Sequence, residues 1–220
     1  MKKNAFTLME VLIVLVFIGF ISMLMLSVAN NQITKTNILA KKSYVTANAI
    51  IQDLINNQEY YPAKSSDSDP AAGFKDTSQV TMQDTGTTTS GNYKFTNLFT
   101  NKLASGSDQT KRVEFGPRNN SQINTTSNFT YTYGNDGTVW MVENTNFANG
   151  TALIYVDTNN KNSEAQSCIW DSCSCREPDV FAYIVTYNGK LKPSDPYLKA
   201  LIKSSDVKVN DFLQENKCEE

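Results

Sequence analysis

Oxygen-bearing side chains gather between two apolar runs in the last third of this chain of 220 residues. Asp157 and Asn159 alternate after the first run, Lys161 would offer its backbone carbonyl, and Asp179 stands just before the second run. Calcium takes several oxygen ligands from a folded loop, so the pattern is compatible with a calcium site. It lacks the glycine and the distal glutamate of an EF-hand, and Asp-x-Asn also forms ordinary Asx-turns. The sequence favours a structural turn and leaves calcium as the alternative.

Four cysteines form the second group of reactive side chains: Cys168, Cys173, Cys175 and Cys218. In an oxidising compartment cysteines form disulfides more often than metal sites, and four cysteines allow three pairings. The clustered cysteines lack the usual CxxC spacing of zinc sites, and the chain has no histidine to complete a mixed ligand set. We therefore predict disulfides, with reduced or metal-bound cysteines as the alternatives. A bridge from the cluster to Cys218 would tie the C-terminal tail to the rest of the fold.

The composition argues against catalysis. Without histidine, the Ser-His-Asp, Cys-His and His-metal mechanisms are excluded. No spacing selects a pair of carboxylates for general acid and base chemistry, and no glycine-rich phosphate loop is present. A formal net charge of -2 provides no basic face for nucleic acid. We predict that the protein is not an enzyme and requires no cofactor, and the sequence does not indicate nucleic acid as a partner.

The N-terminus has a short basic leader followed by an apolar segment. Lys2 and Lys3 precede the small residue Ala5, and residues 11–29 carry no charge. A helix of this length nearly crosses a hydrocarbon core of about 30 Å. Because the positive charges lie before the segment, the N-terminus is predicted to be cytoplasmic and the rest of the chain to be exported. The sequence therefore predicts a single membrane span that anchors an exported head.

The stretch Ala5-Phe6-Thr7-Leu8-Met9-Glu10, between Lys2-Lys3 and the apolar segment, resembles the N-terminus of the type IV prepilin family. That family includes the pilins of type IV pili and the pseudopilins of type II secretion and competence systems, and it usually has Gly where Ala5 stands. The resemblance implies cleavage after Ala5 by a prepilin peptidase and methylation of the new N-terminus at Phe6. It also implies residence in the bacterial inner membrane and later in a pilus or pseudopilus, with other copies, related pilins and an assembly platform protein as partners.

Glu10 is costly at the edge of an apolar helix unless it reaches the interface or finds a partner. In a generic single-span protein it would reach the headgroups. The resemblance implies instead that Glu10 neutralises the Phe6 amine of a neighbouring subunit, which would set the register of a filament. The alternative function is a single-span, membrane-anchored periplasmic binding or enzymatic domain that forms no filament.

Hydrophobic periodicity predicts the elements that follow the span. Apolar residues recur at helical spacing in an amphipathic helix that continues to about residue 58. Beyond a polar region, alternating residues predict strands over 129–133, 138–142, 152–156 and 181–186, with a shorter candidate at 113–115. The first two form a hairpin through a Gly-Asn-Asp-Gly turn. The apolar positions of the helix are Ala40, Tyr44, Ala47, Ile51, Leu54 and Ile55.

These elements predict an α+β fold, in which a long N-terminal transmembrane and amphipathic helix packs on a small, mostly antiparallel β-sheet head, as in pilins. The expected organisation is a leader at 1–5, a transmembrane helix and filament core at 6–29, and an amphipathic continuation of the helix at 30–58. A polar connecting loop is expected at 59–111. The β-sheet head, with its cysteine-containing C-terminal region, is expected at 112–220.

Overall fold

The computed structural model describes residues 35–62, 72–103, 128–134, 136–158, 169–170, 175 and 178–203. The chain divides into two compact units, Met1–Ile38 and Leu39–Glu220. Of the first unit only residues 35–38 are described, and they are helical. The second unit contains the head.

The amphipathic helix is present as α1 over residues 35–56. It ends two residues before the predicted position because Asn57 begins a turn, in which its side-chain oxygen accepts a hydrogen bond from the Glu59 amide at 2.9 Å. The predicted apolar face is confirmed, since its residues from Ala40 onward are buried or partly buried in the core.

The head is built on a five-stranded antiparallel sheet in the order β3-β4-β5-β6-β7. The strands are β3 (Phe129–Tyr133), β4 (Val139–Glu143), β5 (Thr151–Asp157), β6 (Val180–Thr186) and β7 (Leu191–Pro193). The first four match predicted strands within one residue at each end, because β-branched and aromatic residues dominate them. The predicted strand at 113–115 lies outside the described residues.

One face of this sheet, the near face, packs on α1 and carries the main core. The near face contributes Trp140, Val142, Ala152, Ile154, Val156, Phe181, Tyr183 and Val185. The Tyr183 hydroxyl donates to the Ala40 carbonyl at 3.0 Å and lies 2.7 Å from the Ser43 hydroxyl. The Ser43 hydroxyl itself donates to the Ala40 carbonyl at 2.8 Å. These bonds satisfy polar atoms that the helix buries against the sheet.

The prediction of a polar connecting loop over 59–111 is wrong for much of that region. It contains a two-stranded antiparallel sheet of β1 (Val80–Thr81) and β2 (Thr88–Thr89), and the helix α2 (Lys94–Leu103). Short 3-10 turns lie at Gly73–Lys75 and Gly91–Tyr93. The region is polar in composition, but a few of its large apolar residues lie in the main core, among them Phe74, Phe95, Leu98 and Phe99.

A third helix, α3 (Pro196–Lys203), follows β7 and was not predicted. Its N-terminus is capped by Asp195, whose carboxylate accepts a hydrogen bond from the Leu198 amide at 2.7 Å. Pro196 fits the first helical position because its missing N–H group would have no partner there. Leu198 and Leu201 of this helix pack in the main core.

The turn between β6 and β7 is pressed against α1 at Gly189. Its φ of +79° is unfavourable for any residue with a β-carbon, and a β-carbon here would lie 3.0 Å from Ile55 Cγ2. The Gly189 carbonyl also accepts a hydrogen bond from the Gln52 side-chain amide at 2.7 Å. Helix and sheet therefore approach so closely at this point that Ile55 would have to shift to accommodate a β-carbon.

We predict that Gly189→Ala destabilises the head by about 3 kcal/mol, because backbone strain and a clash with Ile55 add together. Gly137→Ala is the matched control, since Gly137 has a φ of +83° but nothing lies within 4 Å of the point that its β-carbon would occupy. The control is expected to cost about 1 kcal/mol from backbone strain alone. Urea unfolding of the full chain in detergent measures both, and equal losses would contradict the close contact.

Candidate functional site

The residues predicted to undergo processing and to direct assembly, Ala5, Phe6 and Glu10, lie outside the described residues, as does the predicted span at 11–29. Within the described part of the chain, no helix is long and apolar enough to cross a membrane. Cleavage, methylation and the Glu10 contact therefore stay predictions.

Helix α1 is the described element nearest in sequence to those residues, and its two sides differ in exposure. Its inner side is held to the sheet by the core and by the Tyr183 hydroxyl. On its outer side, Val45 is 66% exposed, and Asn48 and Ala49 are exposed as well. Ile38, in the first unit, is 59% exposed. Large exposed aliphatic side chains are a feature of helices that contact other molecules, although single ones also occur on ordinary surfaces.

The structure brings together two of the four predicted calcium ligands. Asp157 at the end of β5 pairs with Val180, the residue after Asp179, and both carboxylate residues are buried. Thr158 closes the gap between the strands, because its amide and its hydroxyl both donate to the Asp179 carbonyl at 2.9 Å. Asn159 and Lys161 lie outside the described residues.

The bonds from Thr158 join the described ends of β5 and β6, and both the structural turn and calcium binding stay predictions. The Asp179 carbonyl is already engaged by Thr158. Among the described residues, no group of three or more His, Cys, Asp or Glu side chains is placed to hold a metal ion.

Cys175 is buried and disulfide-bonded. The other three cysteines, Cys168, Cys173 and Cys218, lie outside the described residues, so the pairing stays a prediction. Five residues before Cys175 in the sequence, the Trp170 ring stacks on the Tyr197 ring of α3, with 6.4 Å between the ring centroids.

Sequence reasoning missed a buried cation at the start of α2. Lys94 is 1% exposed, and its ammonium group donates to Asp76 Oδ2 at 3.1 Å and to the Ser78 hydroxyl at 3.3 Å. The same ammonium group lies 4.6 Å from the centroid of the Tyr61 ring, which is a cation–π contact. A single lysine in a polar stretch gives no sequence signal of burial, because lysines are almost never fully buried unless paired.

The electrostatics of this cluster follow from burial. Desolvation lowers the pKa of Lys94, while Asp76 opposes that shift by pairing with the charged form. Burial alone would raise the pKa of Asp76, but hydrogen bonds from Ser78 and the charge of Lys94 outweigh it and lower this pKa. Burial and the nearby Asp76 charge raise the pKa of Tyr61. The cluster contains an ion pair that joins the start of α2 to the chain around Asp76.

Comparisons with models of known protein families, with curated proteins and with solved structures find no match to this chain. Any functional assignment therefore rests on the residues themselves and on their geometry.

We predict that Asp76→Ala destabilises the head by about 3 kcal/mol, because it leaves the buried Lys94 ammonium group without its counter-charge. In a Lys94→Met background the same substitution is expected to cost less than about 1 kcal/mol, since methionine keeps the packing and needs no partner. A double-mutant cycle from urea unfolding measures the coupling. Equal costs of Asp76→Ala in the two backgrounds would show that the pair is not coupled.

Proposed function

We propose that this chain is a structural subunit, a pilin or pseudopilin, of a type IV pilus or a type II secretion-type filament. The observation that carries the proposal is the order of residues at the N-terminus. Lys2 and Lys3 are followed by Ala5, Phe6 and Glu10, and then by the uncharged residues 11–29. This order provides a cytoplasmic leader, a peptidase site next to a small residue, and an apolar helix that serves first as an anchor and then as a filament core.

The fold of the head supports this proposal. Helix α1 covers the near face of an antiparallel sheet with one side and leaves Val45 and Ala49 exposed on another. A filament whose core is a bundle of helices needs subunits of this kind, because each helix must hold its own head and still contact its neighbours.

Glu10 has a defined task in this scheme. After cleavage behind Ala5, the Phe6 amine carries a positive charge inside an apolar bundle, where an unpaired charge is costly. A Glu10 carboxylate from a neighbouring subunit removes that cost only when the two helices adopt the correct register. The ion pair thereby selects one arrangement, while the apolar surface supplies the association energy.

The assembly route follows from the same chemistry. The chain would be stored in the bacterial inner membrane, cut and methylated by a prepilin peptidase, and extracted by an assembly platform driven by a separate ATPase. The head carries no catalytic role in this proposal, and its exposed surface would face outward from the filament. The competing function, a single-span anchored periplasmic domain, requires neither cleavage nor Glu10.

We predict that Glu10→Ala leaves the protein in the membrane fraction but removes it from sheared filaments, reducing its amount there by about tenfold. Removing the carboxylate leaves the neighbouring Phe6 amine without a partner, while the membrane anchor becomes more apolar. Quantitative immunoblotting of membrane and sheared fractions from the native host measures the distribution.

Glu59→Ala is the matched control for this experiment, because Glu59 is an exposed carboxylate on the head, beyond the end of α1. It should leave the filament fraction unchanged. Normal amounts of the Glu10→Ala protein in filaments would refute the role of the carboxylate, and the absence of the unmodified protein from any filament would favour the anchored domain.

A further inference from the structure

The part of the head that contains β7 and α3 carries an excess of positive charge. Residues 190–203 include four lysines and a single acidic residue, Asp195, in a chain whose formal net charge is -2. All four lysines are exposed. We call this surface the lysine edge, and it consists of Lys190, Lys192, Lys199 and Lys203.

The fold directs these side chains away from the core. Leu191 of β7 lies in the main core, so the next residue of the strand, Lys192, points to the opposite side. Helix α3 packs in the core through Leu201, while Lys199 and Lys203, four residues apart, share an outer side of the helix. Because β7 and α3 lie in contact, the lysines of the strand and of the helix belong to one surface.

The charges of the lysine edge are not neutralised within the described part of the chain, where the ion pairs involve other lysines. Asp195, the one acidic residue of the segment, is engaged as the cap of α3 by the Leu198 amide. Lys199 and Lys203 are like charges at helical spacing and repel each other. A surface of this kind attracts an anionic partner.

Protection of the sheet accounts for only part of this surface. Lysines on an edge strand keep other chains from pairing with it, which explains Lys192 on β7. It does not explain Lys199 and Lys203, which lie on a helix. Their position beside β7 favours one partner that extends over both elements.

We propose that the lysine edge docks on the anionic phospholipid headgroups of the membrane that anchors the chain. Lysine binds phosphate groups as a point charge, and each lysine at an anionic membrane surface strengthens binding about fivefold. The predicted span ends at residue 29 and the head begins at Leu39, so a segment of at most about 35 Å would connect them. Tethering of this kind raises the effective concentration of a weakly bound partner. The inference rests on the membrane anchor of the proposed function, but not on the filament.

Docking through exposed lysines is reversible. Salt screens exposed charges, and extraction of the anchor would take the head away from the headgroups. The stored subunit would therefore keep its lysine edge covered by lipid, and the extracted subunit would expose it.

Lysine acetylation in vesicles tests the proposal. The full chain is reconstituted into vesicles of phosphatidylcholine, alone or with about one third of the anionic lipid phosphatidylglycerol. A neutral acetylating ester is added briefly, and peptide mass spectrometry quantifies acetylation at each lysine. We expect the lysine edge to react about fivefold more slowly in the anionic vesicles, and high salt to remove the difference. Lys102, which is partly exposed on α2, should react equally in both.

Variants separate docking from a general effect of the anionic surface. The combined substitutions Lys192→Gln, Lys199→Gln and Lys203→Gln are expected to remove the protection of Lys190, because too little charge is left to hold the head on the lipid. Lys102→Gln is the matched control, since it removes a positive charge outside the lysine edge and should leave Lys190 protected.

Flotation of the vesicles in high salt shows separately whether the chain is anchored. A chain that does not float would refute the anchor and, with it, both the proposed function and the docking. A chain that floats, but whose lysine edge reacts equally in both kinds of vesicle, would refute the docking alone. Protection by a single-stranded oligonucleotide in phosphatidylcholine vesicles, without protection by phosphatidylglycerol, would assign the lysine edge to nucleic acid and overturn the proposal.

Discussion

The contact between α1 and the near face of the five-stranded sheet is the constraint on which the head depends. A helix and a sheet each have an apolar surface that cannot remain in water, and here α1 and the near face of the sheet cover each other. The contact is so close that a β-carbon at Gly189 would displace Ile55, and it buries the hydroxyl of Tyr183 against the Ala40 carbonyl. Helix α2 and the buried Lys94–Asp76 pair extend the same core, so the polar stretch after α1 becomes part of the head.

This constraint also gives α1 its part in the proposed function. Because the sheet fixes one side of the helix, the side with Val45 is presented in a defined orientation relative to the head. The Phe6–Glu10 ion pair would add register to contacts made by such helices. Substitutions at Gly189 and at Glu10 are expected to have separable effects, because Gly189 lies at the contact between α1 and the sheet, whereas Glu10 would act between subunits.

Hydrophobic periodicity in the sequence predicted the helix and strands whose apolar residues recur at regular spacing. The inner side of α1 and strands β3 to β6 were found because their residues alternate at period 3.6 or 2. Helix α2 was missed because Phe95, Leu98 and Phe99 are set among polar residues, and their burial depends on distant partners such as Trp140. The Lys94 pair could not be predicted for the same reason, since Asp76 and Lys94 meet only in the folded chain. Asp157 and Asp179 lie at the same end of the sheet, but Asp-x-Asn spacing alone does not separate a calcium ligand set from a turn, so the calcium candidate stays a prediction.

Processing after Ala5 is the step on which the proposed filament core depends, and an uncleaved chain would remain only a membrane anchor. The most direct test is intact-mass and N-terminal peptide mass spectrometry of the protein from native membranes or sheared filaments. Cleavage and methylation at this position predict a chain that begins with N-methylated Phe6. A chain that still begins at Met1, in cells whose prepilin peptidase is active, would contradict the claim and leave an ordinary membrane anchor with an exported head.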